Sequence, residues 1–202
     1  GKTLNKISKT TYSRKSFNNK FGVPLSLFNL KHNDEFGVFE IGMDKKGEID
    51  YLSKIIKPEV GVITNISYAH VKNFKNIKQI ALAKSEIIKN IKDGGSIVLN
   101  ADDKFYNLHK KIAQKRKLKI RSFGVNKKNC DVSLDYIIKK KLKYKILVNI
   151  DKSKRYFYLN SNFENDIKNL LAAISVISIF KDINKLDNNI FYNYKTPEGR
   201  GD

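Results

Sequence analysis

Residues 58–103 read PEVGVITNISYAHVKNFKNIKQIALAKSEIIKNIKDGGSIVLNADD, and the fold class turns on this stretch. Within it, EVGVITNIS (59–67) is a short apolar run with β-branched residues, the pattern of a buried strand. NIKQIALAKSEIIKNIKDGG (76–95) has helical periodicity and is closed by Gly94 and Gly95. SIVLNADD (96–103) is a second buried strand with polar residues at its carboxyl end. Strand, helix, strand at this spacing is the connection that parallel neighbours require.

The same alternation continues on both sides. KFYNLHKKIAQKRK (104–117) predicts a helix and LKIRSFGV (118–125) another strand. Upstream, EIDYLSKIIKP (48–58) carries Ile49, Leu52, Ile55 and Ile56 on one stripe and ends at Pro58. Before it, EFGVFEIG (35–42) predicts a buried strand, and SFNNKFGVPLSLFNL (16–30) a loop with Asn-Asn and Gly-x-Pro breakers leading into a short helix. The polar segment from Gly1 to about Lys15 predicts a helix. From Cys130 to Asn160 the pattern becomes alternating and β-rich, a small antiparallel excursion, and ENDIKNLLAAISVISIF (164–180) returns to a helix. The expected class is α/β: a mostly parallel sheet flanked by helices, with a small antiparallel β excursion.

Composition narrows the function classes. The chain has 202 residues, 41% hydrophobic and 30% charged, a globular balance with no run long enough to cross a membrane. No membrane insertion is expected. One cysteine, Cys130, excludes an internal disulfide framework and a multi-cysteine metal site, as suits a reducing cytoplasm. A formal charge of +20 invites a nucleic-acid reading. Lys greatly outnumbers Arg, however, and Lys, Asn and Ile are enriched throughout, as in an AT-rich coding sequence. The basic runs KKIAQKRKLKIR (110–121) and IIKKKLKYK (137–145) carry few aromatics and match no nucleic-acid module. The expectation is no nucleic-acid partner. The sequence starts inside what looks like a motif and stops after TPEGRGD (196–202), so it is read as an internal piece of a longer protein.

In open parallel sheets ligands gather at the carboxyl ends of strands. Three such ends here carry polar residues: Glu40, the segment Asn65 to His70, and the segment Asn100 to Asp103. Glu40 is either a structural accident or a hard oxygen ligand suited to Mg²⁺. His70 is either an ordinary loop histidine or a metal-site residue. Lys84, set between IALA and SEII, is either a solvated charge or partly drawn toward the sheet. Gly1-Lys2-Thr3 matches the tail of a phosphate-binding loop, in which Lys and backbone amides cradle phosphates and Thr holds Mg²⁺. On three residues alone that motif is weak. His32 and His109 sit among polar neighbours and receive no role.

Taken together, GKT, SFNNKFGVPLSLF, VFEIGMDKKGEIDYL, PEVGVITNISYAHVKNFKNIKQIALAKSEII, VLNADD and NDIKNLLAAISV resemble, in order and spacing, the central ATP-binding domain of the Mur ligases. The blocks EIGMDKKGEI (40–49) and TNISYAHVKNF (64–74) point, within that family, to the branch that adds D-Ala-D-Ala. The resemblance covers nearly the whole chain. It implies a P-loop α/β domain over residues 1–195, truncated at its amino-terminal edge, with 196–202 beginning the linker to a further domain.

The resemblance also implies a chemistry: an ATP- and Mg²⁺-dependent cytoplasmic amide ligase of peptidoglycan precursor synthesis. UDP-MurNAc-tripeptide and D-Ala-D-Ala would be its substrates, an acyl phosphate its intermediate and a monomer its state. Gly1, Lys2 and Thr3 would hold the phosphates, with Lys2 at the β/γ-phosphates and Thr3 on the first Mg²⁺. Glu40 would share in binding that metal region, and His70 would hold the second. Lys84 matches a lysine that is carbamylated in the family, which turns a cation into a carboxylate-like anion. Asn169 would meet the adenine side of ATP, Arg200 would close on the nucleotide, and Asn18 and Asn19 would approach the sugar-peptide substrate. One departure is that Asn165-Asp166 stands where the family usually has His-Asn. A sister Mur ligase or folylpolyglutamate synthase is the enzyme alternative, and a basic nucleic-acid-binding module the non-enzyme one. The chain by itself is expected to be inactive.

Overall fold

The computed structural model describes residues 1–14, 17–68 and 73–192. Two compact units emerge, one made of residues 1–97 with 107–120 and the other of 98–106 with 121–202.

The first unit opens with α1 (Lys2–Asn5), β1 (Thr10–Tyr12), α2 (Gly22–Phe28), β2 (Phe36–Val38) and α3 (Glu48–Ile56). It continues with β3 (Val60–Ile63), α4 (Ile77–Lys84) and α5 (Glu86–Lys89), and takes in most of α6 (Tyr106–Lys115). The expected helix from Gly1 to Lys15 stops after one turn, because Thr10, Thr11 and Tyr12 pair in parallel with Phe36, Gly37 and Val38. β-branched and aromatic residues favour that pleated surface over a helix. β1 and β2 form a sheet of two strands, so β2 is half-buried rather than the fully buried strand expected.

The helix expected over 76–95 is capped by Asn76, whose side chain accepts from the Gln79 amide at 3.1 Å, and it is interrupted at Ser85. There the hydroxyl donates back to the Leu82 carbonyl at 2.6 Å, a bond that bends helices. The helix stops at Lys89, short of the expected end at Gly94 and Gly95, and the glycines serve the turn that follows it. Gly94 has φ +74°, and a Cβ on Gly95 would lie 2.6 Å from the Glu59 carbonyl oxygen, so the close return to the next strand needs glycine.

Six strands form the second sheet in chain order, β3-β4-β5-β6-β7-β8, with β4 Ser96–Asn100 and β5 Lys119–Gly124. Every residue of β4 is buried, as its continuous apolar run predicts. In the second unit, β6 (Val132–Lys140) runs parallel to β5, then β7 (Lys143–Ile150) and β8 (Ser153–Leu159) add in antiparallel fashion. The antiparallel excursion therefore extends the sheet itself. Ile146, Val148, Ile150, Phe157 and Leu159 are buried on one face. α7 (Glu164–Phe180) buries Ile167, Leu170, Leu171, Ile174 and Ile177, the stripe its spacing predicts. A 3-10 turn, Ile183–Lys185, follows. No helix of the described residues is long and apolar enough to cross a membrane.

Candidate active site

Glu40 lies just past β2, half-buried, and two neighbours fix it. Its amide donates to the Ser13 hydroxyl at 3.2 Å, and the Asn18 side-chain amide donates to its carboxylate at 3.2 Å. The Gly42 amide donates to the Asn18 carbonyl at 2.7 Å. A Cβ on Gly42 would stand 2.9 Å from the Asn18 side-chain carbon, so this close approach admits only glycine without a shift. The expected metal residue and one expected substrate residue are thus brought together. Asn19 acts locally. Its side-chain oxygen accepts from the amides of Phe21 and Gly22 at 3.0 and 2.9 Å, closing the turn into α2.

Lys84 closes α4, half-buried as the flanking apolar residues suggest. Its ammonium donates to the Asn65 carbonyl, just past the end of β3, at 3.0 Å. On the same helix Ile80 and Ala83 pack into a cluster with Met43, Ile49 and Phe74, joined by Ile41, Ile66 and Ile87. The loop that carries Glu40 and the helix that carries Lys84 therefore share one apolar cluster, through the adjacent residues Ile41 and Ala83.

Gly1 precedes α1 and packs against β1; a Cβ there would lie 2.5 Å from the Tyr12 Cβ. Lys2 is exposed and Thr3 half-buried at the start of this short helix. Asn169 lies on α7 in the second unit and is exposed. His70 and Arg200 fall outside the described residues.

Oxygen donors such as the Thr3 hydroxyl and the Glu40 carboxylate suit Mg²⁺, whereas an unmodified lysine ammonium repels it. Among the described residues no group of three or more His, Cys, Asp or Glu could hold a metal ion. As a carbamate, Lys84 would supply a further anionic oxygen.

Several further polar residues, two of them at the third strand end where site residues were expected, make hydrogen bonds within the fold. His109 is 2% exposed and its Nε2 lies 3.0 Å from the Ala81 carbonyl, although its neighbours in sequence are polar. Asp102, at the third polar strand end, accepts from the amides of Val125, Asn126 and Lys127 at 2.6, 3.1 and 2.8 Å and shapes the turn after β5. Asn100 accepts from the Asp102 amide at 2.9 Å. Glu86, 6% exposed, accepts from the amides of Gly47 and Asp50 at the start of α3. A charged residue inside the apolar run SEII was the available sign of that last role.

Comparison with known proteins gives this geometry its context. The Mur ligase middle domain model matches residues 1–177. The UDP-N-acetylmuramoyl-tripeptide--D-alanyl-D-alanine ligase of Rickettsia prowazekii is 31% identical over 177 residues, covering 85% of this chain and 38% of that protein. The crystal structure of MurF from Acinetobacter baumannii superposes with a TM-score of 0.88 at 27% identity, covering 99% of this chain and 43% of that one. MurF ligase from Thermotoga maritima in complex with ADP gives a TM-score of 0.84 at 25% identity, with 98% and 45% covered. The chain thus spans less than half the length of each of these relatives. With the family model matching most of its length, the chain belongs to the Mur ligase family through that family's middle domain.

Proposed function

We propose that this chain is the nucleotide-binding part of an ATP-dependent ligase that joins D-Ala-D-Ala to UDP-MurNAc-tripeptide. The observation that carries this reading is the pairing of Glu40 with Asn18 on a loop that shares its apolar cluster with the helix of Lys84. In the reaction a carboxylate oxygen of the tripeptide attacks the γ-phosphorus of ATP, and the bond from that phosphorus to the ADP oxygen breaks. The amine of D-Ala-D-Ala then attacks the acyl carbon, loses a proton, and inorganic phosphate departs with the acyl oxygen. Catalysis of this kind is mainly positioning and charge neutralisation.

Each residue has a place in that scheme. Lys2 would contact the β/γ-phosphates, with Gly1 allowing close approach of the backbone. Thr3 and Glu40 would hold Mg²⁺, which would supply charge neutralisation on the phosphates. His70 and carbamylated Lys84 would serve a second Mg²⁺, Asn169 the adenine, and Arg200 would close on the nucleotide. Asn18 both orients Glu40 and, with Asn19, borders the sugar-peptide substrate. In this reading residues 1–195 are the central domain and 196–202 begin a linker. The protein is a cytoplasmic monomer without a nucleic-acid partner, and the chain in isolation is inactive.

The test is phosphate release by the full-length protein given ATP, Mg²⁺ and UDP-MurNAc-tripeptide. Release that depends on added D-Ala-D-Ala is expected; release indifferent to it would exclude this ligase. Turnover by the isolated 202-residue chain would overturn the claim that it is inactive.

A further inference from the structure

We infer that Glu86 is a positioning residue for this site, fixing the Glu40 loop against the helix of Lys84; the inference rests on the ligase reading above. A carboxylate buried in an apolar helix face is unfavourable unless it is hydrogen-bonded. Glu86 meets that requirement with the start of α3: the Gly47 amide lies 2.9 and 3.0 Å from its two oxygens, and the Asp50 amide 3.2 Å from one of them. Gly47 adopts φ +92°, a conformation suited to glycine, at the N-cap of α3.

One turn along, Asn90 repeats the connection. Its side-chain amide donates to the Asp50 carbonyl at 3.1 Å, to the Asp50 carboxylate at 3.1 Å and to the Ser53 hydroxyl at 2.8 Å. Residues 86 and 90 thus grip 47, 50 and 53, one face of α3. The segment between Glu40 and Gly47 is consequently held at both ends. Ser13 and Asn18 hold it at Glu40, and Glu86 holds it at Gly47. Glu86 also follows Lys84 by two residues, across the break at Ser85, so the anchor of that segment and the lysine are close neighbours in the chain, at the start of α5 and the end of α4.

A plain helix cap would have the same hydrogen bonds, so the test separates the two roles in the full-length protein. Glu86→Gln keeps the shape and removes the charge, and Glu86→Ala removes both. Asn76→Ala deletes the N-cap of α4, the helix before the one that carries Glu86, and serves as the purely structural comparison. Two quantities are read: Mn²⁺ affinity in the presence of ADP, from the paramagnetic resonance of free Mn²⁺, and the thermal midpoint. Both Glu86 variants are expected to bind Mn²⁺ about ten-fold more weakly, the scale of change seen when groups supporting a metal site are removed. Asn76→Ala is expected to lower the midpoint without moving Mn²⁺ affinity. Glu86 variants that bind Mn²⁺ like the parent, or that do not fold at all, overturn the positioning role. A parent that binds Mn²⁺ with ADP yet shows no D-Ala-D-Ala-dependent phosphate release overturns the ligase reading instead.

Discussion

Among single residues, Gly42 is the close contact that bears directly on Glu40. Replacing it with alanine places a methyl group 2.9 Å from the Asn18 side chain, which must move and release Glu40. Gly42→Ala is expected to lower stability by about 1–3 kcal/mol, the range for overpacking a close contact, as measured by denaturant unfolding. An unchanged midpoint would mean that Asn18 yields freely. Cys130 gives a second prediction. Burial, followed by the nearby carboxylates of Asp102 and Asp131, pushes its thiol up to about 11. At pH 8 roughly a thousandth of it is thiolate, so alkylation by iodoacetamide should be far slower than for a free thiol and should accelerate up to about pH 11. Equal rates for Cys130 and a model thiol would contradict the burial. Glu40 and Lys84 were legible in the sequence because each breaks a local rule, one ending an apolar strand and the other sitting within an apolar helix stretch. The role of Glu86 was not legible in the same way. Its partners lie 36 and 39 residues away, and only the packing of α5 on α3 reveals them.

Among the elements, alternation and glycine placement reveal most of the strands and helices between 48 and 180. The amino-terminal segment does not yield to the same reading. Its polar residues satisfy a helical composition, but the parallel partner Phe36–Val38 decides in favour of a strand, and that partner is remote in sequence. The break at Ser85 was equally hidden, since it rests on one hydroxyl bonding back to Leu82. The β7–β8 hairpin offers a test of local backbone strain. Ile150 pairs with Ser153, and the two residues between them, Asp151 and Lys152, both have positive φ, at 49° and 72°. Such a turn favours glycine, and a left-handed lysine costs roughly 1 kcal/mol. Lys152→Gly should therefore raise unfolding stability by about 1 kcal/mol. A loss of stability would show that the lysine side chain contributes more than the strain it imposes. Asp151 is best left unchanged, because it receives Arg121 through both guanidinium nitrogens at 3.1 and 2.7 Å.

For the molecule as a whole, charge sets the response to pH. The formal charge is +20, and every protonated carboxylate adds to the self-repulsion. Among the described residues, three carboxylates are held below their ordinary values. The Thr11 hydroxyl does this for Asp34, the Asp44 amide for Glu48, and Lys54 with Asn90 for Asp50. A folded-state value below the unfolded one means that the stabilisation is present above the ordinary carboxylate range, near about pH 4, and is lost as pH falls through the folded value. The thermal midpoint should therefore be nearly level from about pH 8 to 5 and drop below about pH 4, less steeply in added salt. A midpoint that rises on acidification would contradict both the sign of these shifts and the role of net charge. The family was legible at this level because its blocks span both ends of the chain. Asn169 came from the resemblance alone, since its exposed place on α7 carries no local sign of a role.

The functional reading stands or falls on whether Glu40 and Lys84 line one site for a metal-bound nucleotide. An anomalous-scattering map of the full-length protein, crystallised with Mn²⁺ and a non-hydrolysable ATP analogue, decides it. The expected map shows Mn²⁺ on the Glu40 carboxylate, with the Lys84 side chain withdrawn from the Asn65 carbonyl and carrying a carbamate that faces the metals. Mn²⁺ bound away from Glu40, with Lys84 unmodified and still donating to Asn65, would contradict that reading.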